Sequence, residues 1–237
     1  MKIDETIKKW HEETLDWIEN KIGPDVFNAD EIDKLCLFVV KTSSQYCAAV
    51  LQLLNEGYEF PAKALMRCLG ELNTKFTWSL VGCHDKDNTP KEISKRVQRW
   101  RMSACSKGIE LLEDSKAVMR SEDKKVHEQT LNDLKQHKEE LKKDNVKNMP
   151  DLKEIFKQLG DSYYEKIRPA FYSIFNNAVH LDPASMIAIY GSLPGGQDLP
   201  RSYCVAIAYN INSLIRLRYG LNTQQIKEEL DQLMKMI

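Results

Sequence analysis

The sequence predicts an all-α protein, a multi-helix bundle of about eight or nine helices with a charged protruding helix or helical hairpin. Three observations predict this class. Apolar side chains recur every three to four residues along most of the chain, helix start and stop signals separate these segments, and no segment alternates as a half-buried strand does. The length suits one domain. We therefore predict a single helical domain over residues 1–237, with residues 115–148 forming the charged protrusion.

Two helices are predicted in the first quarter of the chain. The first spans residues 4–22 and ends at a glycine–proline pair. The second begins at Asn28 or Asp30, because Glu31 could complete a capping box from Asn28, and it ends near residue 55. The second helix is apolar over much of its circumference, which predicts a central position in the bundle.

The third and fourth predicted helices each begin at a proline. The third starts at Pro61, and its apolar stripe comprises Leu65, Cys68, Leu69, Leu72 and Phe76. The fourth starts at the sequence Thr89-Pro90-Lys91-Glu92, in which an N-cap threonine precedes proline at the first position and glutamate at the third.

The charged protrusion is predicted from residues 120–144, of which fourteen out of 25 are charged. Only a thin apolar stripe runs through this segment, so it can pack on one side only. Abundant Leu, Lys and Glu and the lack of Gly and Pro favour a helix over the alternative, disorder.

The remaining predicted elements follow in the more apolar C-terminal third. They are a helix at 150–159, short helical pieces at 163–167 and 169–179, a further start at Asp182-Pro183, a Gly/Pro-rich loop at 192–200, a helix at 201–219, and a last helix from Asn222 or Gln225.

Composition narrows the classes of function. Lys plus Arg total 34 and Asp plus Glu total 35, a balance that is unusual for general nucleic-acid or membrane-surface binders. No uninterrupted apolar run, including 35–40, approaches the length of a membrane span. The six cysteines are scattered, which favours buried thiols in a reducing compartment. We therefore expect a cytoplasmic protein with no membrane partner, no metal and no cofactor.

The first candidate site lies on the third helix. Arg67 and Glu71 are four residues apart and can pair on the face opposite the apolar stripe, with Trp78 on the same side. A helix with two usable faces often lines a cleft. The alternative is a surface ion pair beside a partly buried tryptophan.

The second candidate is His180, which follows the predicted end of a helix. Asn176 and Asn177 place hydrogen-bonding groups near its imidazole, and a histidine in such surroundings can act as a general acid or base. The alternative is a capping or loop histidine.

The third candidate is a basic patch on the fourth helix, formed by Lys91, Lys95, Arg96 and Arg99. Such a patch could hold a phosphate backbone, although a solvated helix face has the same appearance. Arg120 and His127 are also spaced as in helical ribonucleases, but this spacing is expected by chance and decides nothing.

Two segments together resemble an uncharacterised bacterial all-helical family, a domain of unknown function. The segment 64–71 is similar to that family's Arg-x3-Glu helix, and the segment 172–185 to its Val-His-Pro-Ser-like end. Here Asn176 stands in place of a serine, and two residues separate His180 from Pro183. The likeness spans roughly residues 30 to 190 and extends loosely to the higher-eukaryote and prokaryote nucleotide-binding superfamily of helical bundles. It implies that Arg67, Glu71 and His180 approach one another.

Two hypotheses follow. The sequence favours a non-catalytic helical interaction protein, in the phage-defence or toxin-related setting that the resemblance implies, with a protein partner or homo-oligomer. The alternative is a nucleotide- or RNA-processing enzyme, in which Arg67 holds a phosphate, His180 is the general acid or base, and Glu71 orients a partner. In that case a side-chain atom of Arg67 or Glu71 should lie within about 8 Å of the His180 ring. A phosphate-containing ligand or RNA fits either hypothesis.

Overall fold

The computed structural model describes residues 2–24, 26–81, 89–116, 123–160 and 198–236. Within these ranges 85% of the residues are helical, in eight α-helices, and none is in a strand. The predicted all-α class is therefore confirmed. The helices are α1 (Ile3–Ile22), α2 (Glu31–Asn55), α3 (Glu59–Val81), α4 (Pro90–Ser115), α5 (Lys124–Lys143), α6 (Leu152–Gln158), α7 (Asp198–Arg218) and α8 (Gln224–Met234), with a 3-10 turn at Val26–Asn28.

Helices α1, α2, α3 and α7 form the centre of the bundle. Helix α2 packs against α1, α3 and α7, and α3 also contacts α4 and α6, while α8 covers α7 and α1. One continuous apolar cluster joins them. Its fully buried large side chains include Trp10, Ile18, Leu54, Met66, Phe76 and Ile211. Burying each such side chain contributes about 1.5–3 kcal/mol, so this cluster holds the helices together.

Helix α3 is buried around most of its circumference. The predicted stripe supplies Leu69 and Phe76, which are fully buried, but Cys68 is exposed. Trp78, expected on the opposite polar face, is also buried, and so is Thr74. Helix α3 is therefore as central as α2, because α4, α6 and α7 cover the sides that α2 leaves open.

Side-chain caps fix the starts of three helices. The Thr89 hydroxyl accepts a hydrogen bond from the Glu92 amide at 3.3 Å, as predicted. For α2 the cap is Asp30, whose carboxylate accepts from the Ile32 amide at 2.8 Å, whereas Asn28 lies in the preceding 3-10 turn. Asp151 caps α6 in the same way, accepting from the Glu154 amide. Each cap satisfies an amide that has no partner within its helix.

The C-terminal helices differ from the prediction at their starts. Helix α7 begins at Asp198, so the last three residues of the predicted 192–200 loop are helical. Helix α8 begins at Gln224, and the Asn222 side chain accepts from its amide at 2.8 Å. The stop at Gly220 is confirmed, since its φ of +68° is strained for any residue with a Cβ atom. The predicted elements between 163 and 190 lie outside the described residues.

Helices α4 and α5 pack against each other as an antiparallel helical hairpin. The segment predicted to protrude is helical over Lys124–Lys143, and it buries only His127, Leu131 and Leu141. A close approach occurs at Gly108, where an added Cβ would lie 2.9 Å from Leu134 Cδ1. The thin apolar stripe of α5 therefore meets α4, and most of its charged side chains face solvent.

Helix α2 is also long and apolar enough to cross a membrane by length and composition, with a mean hydropathy of 1.2 over its most apolar window. Of that window 44% is buried inside the protein, and core helices pass the same test.

Candidate functional site

Arg67 and Glu71 form the predicted pair on α3. Arg67 Nε lies 3.1 Å from Glu71 Oε1, and Lys75 Nζ lies 3.8 Å from Glu71 Oε2. Their side chains are 22% and 27% exposed, so the pair lies at a partly covered position rather than in open solvent. The local part of the predicted site is thus formed by helical spacing alone.

The other half of that predicted site, His180 with Asn176 and Asn177, lies outside the described residues, as does Tyr172. The predicted approach of His180 to Arg67 or Glu71 therefore stays a prediction.

Trp78 occupies a different position from the one expected. It is 1% exposed, and its indole N–H donates to Gln158 Oε1 of α6 at 2.8 Å. The Arg99 guanidinium lies over the same ring, with Cζ 5.5 Å from the centroid. Trp78 therefore joins α3, α4 and α6 and supports an arginine of the predicted basic patch.

The basic patch separates into a buried and an exposed part. Arg96 is 7% exposed, and its Nε donates to the backbone oxygen of Ser79 at 3.1 Å, which ties α4 to the end of α3. Lys91 and Lys95 are exposed, and Lys95 pairs with Glu92 at 2.5 Å. That hydrogen bond lowers the pKa of the Glu92 carboxyl. The patch available to a ligand is therefore smaller than the sequence predicted.

A basic pocket lies where the exposed part of the patch meets the chain after α5. It is a cavity of about 250 Å³ lined by Lys95, Gln98, Arg99, Asp144, Asn145, Val146 and Lys147. Three cationic side chains and one carboxylate line it. Two hydrogen bonds fix α4 to the segment that follows α5. Arg99 Nε donates to the Asn148 backbone oxygen at 3.1 Å, and the Met149 amide donates to the Ser103 hydroxyl at 2.7 Å.

Lys147 could not be identified from the sequence, because no local motif or helical spacing links it to Lys95 and Arg99. Residues 144–148 follow the end of α5, and Asn145 has a left-handed φ of +54°. The Val146 amide donates to the Leu141 oxygen at 3.0 Å, which turns the chain back along α4. Only this tertiary turn brings Lys147 beside Lys95 and Arg99.

His127 is buried between α4 and α5. Its Nε2 donates to the Leu112 oxygen at 2.7 Å, and the ring contacts the Ser115 hydroxyl. This contact closes the helical hairpin. Arg120, its partner in the weak ribonuclease-like spacing, lies outside the described residues.

A histidine that the sequence analysis did not single out lies between α1 and α2. His11 is 2% exposed, its Nδ1–H donates to the Ile7 oxygen at 2.8 Å, and its Nε2 accepts from the Ser43 hydroxyl at 2.8 Å. Burial lowers the pKa of His11 to about 4. The ring also lines a cavity of about 490 Å³. Its helical position among apolar residues was the signal that could have found it.

The cysteines mostly occupy buried positions, as the sequence indicated. Cys36, Cys47, Cys105 and Cys204 are buried, whereas Cys68 is exposed and Cys83 lies outside the described residues. A hydrogen bond with Cys47 together with burial raises the pKa of the Cys204 thiol. In the ranges that the structure describes, no group of three or more His, Cys, Asp or Glu side chains is arranged to hold a metal ion.

Comparison with known proteins places the chain in a family. The model of a family of unknown function, DUF5677, matches residues 33–197. This range is more than half of the chain, so the chain belongs to that family, and the predicted likeness to an uncharacterised family is confirmed at this level. Arg67, Glu71, His180 and the basic pocket all lie within the match. No curated protein and no solved structure matches the chain significantly.

Proposed function

We propose that this chain is a non-catalytic helical interaction protein that binds the phosphate groups of single-stranded RNA through the basic pocket. The observation that carries the proposal is the meeting of Lys95, Arg99 and Lys147, from two separate segments, around one cavity. A volume of about 250 Å³ lies below the usual range for drug-sized ligands and suits a single phosphate group.

The position of Arg99 supports phosphate recognition. Asn148 and the Trp78 ring hold its guanidinium, and its Nη groups form no hydrogen bond with any described residue. A guanidinium held in this way loses little side-chain entropy on binding, and its paired N–H groups match two phosphate oxygens.

The spacing of basic residues along α4 supports a ligand with several phosphates, one of which occupies the pocket. Lys91, Lys95 and Arg99 follow one another at four-residue intervals, a rise of about 6 Å each. Lys147 adds a charge at the end of this row. A row of a few cations predicts modest affinity and a salt dependence corresponding to about two or three phosphate contacts.

The direct test is fluorescence anisotropy with a labelled oligouridine of about twelve nucleotides. We expect saturable binding that weakens with salt, and about tenfold weaker binding by the Lys95→Ala/Lys147→Ala variant, with a shallower salt dependence. Lys107→Ala is the matched control, because this α4 lysine is 63% exposed, pairs with Glu110 and does not line the basic pocket. Absence of saturable binding, or an equal loss in the control, would exclude the proposal.

The enzyme alternative is favoured by one observation, the Arg67–Glu71 pair at 3.1 Å on a partly covered face. Under this alternative the same RNA would be shortened during incubation, and both Arg67→Ala and His180→Ala would stop the shortening while keeping the helical circular dichroism spectrum. Intact RNA after incubation with wild-type protein would argue against it.

The biological setting belongs to the same proposal. A bacterial phage-defence or toxin-related role, a likeness to the nucleotide-binding helical superfamily, a cytoplasmic location, and a protein partner or second copy remain expectations from the resemblance and composition. Light scattering coupled to size-exclusion chromatography tests the second copy, since a homo-oligomer requires at least twice the chain mass of 27.4 kDa.

A further inference from the structure

A second cavity, separate from the basic pocket, lies between the first half of α1 and the C-terminal half of α2. Its volume is about 490 Å³, within the range of small-molecule sites. Nothing in the proposed RNA interaction uses it.

The walls of this cavity are largely apolar. Ile7 comes from α1, and Ala48 and Leu51 come from α2. The His11 ring completes the wall, and both of its nitrogens are already bonded, to the Ile7 oxygen and the Ser43 hydroxyl. The ring therefore offers no free nitrogen to a ligand, and an apolar ligand surface fits this part of the cavity.

The rest of the lining is rich in hydrogen-bond acceptors. Asp4, Glu12 and Glu56 supply three carboxylates against one ammonium, Lys8. Lys8 lies 3.6 Å from Glu12. Asp4 and Glu56 are exposed, and neither forms an ion pair with any residue in the described ranges.

Hydrogen bonds hold these two carboxylates in position. Asp4 Oδ2 accepts from Asn55 Nδ2 at 3.1 Å, and Asn55 Oδ1 accepts from Arg201 at 2.9 Å. Glu56 Oε1 accepts from Gln52 Nε2 at 3.0 Å. The second oxygen of each carboxylate, Asp4 Oδ1 and Glu56 Oε2, forms no hydrogen bond or ion pair with any described residue, so it can accept from a ligand.

We propose that this cavity binds a small primary amine with an apolar ring, in its ammonium form. The ring lies against Ile7, Ala48 and Leu51, and the ammonium group donates to Asp4 and Glu56. These two carboxylates would repel a carboxylate ligand, and a neutral ligand would form no ionic contact with them.

Three probes that share one ring system test the proposal by isothermal titration calorimetry. They are tryptamine, which is cationic, indole-3-ethanol, which is neutral, and indole-3-propionate, which is anionic. We expect tryptamine to bind about tenfold or more tightly than the alcohol, and the propionate not to saturate up to about 10 mM. Equal affinities, or the tightest binding by the propionate, would overturn the proposal.

Two kinds of variant locate the binding. Ala48→Phe fills the cavity and should abolish tryptamine binding, whereas Gln45→Phe, an exposed position earlier on α2 that does not line it, should not. Asp4→Asn/Glu56→Gln should weaken tryptamine by about tenfold and leave the alcohol unchanged. Tryptamine binding that survives Ala48→Phe, or that is indifferent to the charge variant, would contradict the assignment. RNA binding by the same proteins is a separate readout.

Discussion

At the scale of single residues, the burial of His11 makes the stability depend on pH. The pKa of His11 is about 4 in the folded protein because burial disfavours the cation, against 6.5 when exposed. The unfolded chain therefore takes up the proton first as the pH falls. The stabilisation is complete above pH 6.5 and is lost between pH 6.5 and about 4.

The measurement is urea unfolding at several pH values in this window. We expect His11 to account for a loss of up to about 3 kcal/mol in the free energy of unfolding. His11→Gln is the control, because glutamine keeps a polar side chain that does not titrate. The variant should be less stable at pH 7 and lose less stability on acidification. The same pH slope in both proteins would show that His11 does not carry the effect.

Local residue pairs were predictable, and tertiary ones were not. Arg67 and Glu71 pair because positions four apart are neighbours on any helix. Helical spacing could not show that Lys95 is exposed whereas Arg96 is buried against Ser79. Lys147 joins the basic pocket only through the turn after α5. The basic pocket thus depends on contacts that carry no signal in sequence spacing.

At the scale of elements, two helices show why proline does not fix the first residue of a helix. Pro61 and Pro200 are each the third residue of their helix, in α3 and α7. The sequence pattern predicts Pro61 at the first position of its helix and Pro200 in a loop. The first four amides of a helix have no acceptor within it, so proline is tolerated at any of these positions. A proline therefore marks the first turn and not one residue of it.

The amides of helix α5 should be less protected from hydrogen exchange than those of helix α2. Helix α5 buries three side chains, whereas α2 buries ten. Hydrogen exchange followed by mass spectrometry should show faster exchange in Lys124–Lys143 than in Glu31–Asn55, because local opening exposes little apolar surface. Equal protection of the two helices would contradict this expectation.

Substitutions at Gly108 test whether α5 is held by its packing on α4. Gly108→Ala places a Cβ 2.9 Å from the Leu134 methyl, which can move, and it gains helix propensity of about 1 kcal/mol. Exchange in α5 should then stay near that of wild type. Gly108→Leu adds atoms that displace α5, so α5 should exchange faster while α2 is unchanged. Unaltered exchange in the leucine variant would mean that this contact does not hold the hairpin.

At the scale of the whole molecule, a buried and an exposed phenylalanine test where the core lies. Phe76 is fully buried in the apolar cluster, whereas Phe38 on α2 is 54% exposed. Phe76→Ala should lower the free energy of unfolding by about 3–5 kcal/mol, because it removes buried surface and leaves a cavity. Phe38→Ala should change it by less than about 0.5 kcal/mol. Urea titrations measure both changes in the free energy of unfolding, provided that its dependence on urea concentration is the same in each variant. Comparable losses of stability in the two variants would contradict this position of the core.

The family match and the folded core do not coincide. The match covers residues 33–197, yet α1, α7 and α8 lie outside it and contribute to the same apolar cluster. Polar contacts also join these three helices, which lie outside the match, to one another. The Trp10 indole donates to Glu229 at 2.6 Å, and the Arg216 guanidinium reaches Glu13 at 2.9 Å.

A fragment limited to residues 33–197 should therefore not fold cooperatively on its own. Without α1 and α7, helices α2 and α3 lose two of their packing partners and expose part of their apolar surface. Asn73 and Thr77 also lose the Asn210 amide, which lies 2.7 and 3.1 Å from their oxygens. We expect reduced helicity and a broad thermal transition by circular dichroism, against one sharp transition for residues 1–237. Adding residues 1–32 and 198–237 as separate peptides should restore helicity in proportion to their concentration, because the missing contacts are noncovalent. A fragment that unfolds as sharply as the whole chain would show that the matched region is a domain by itself.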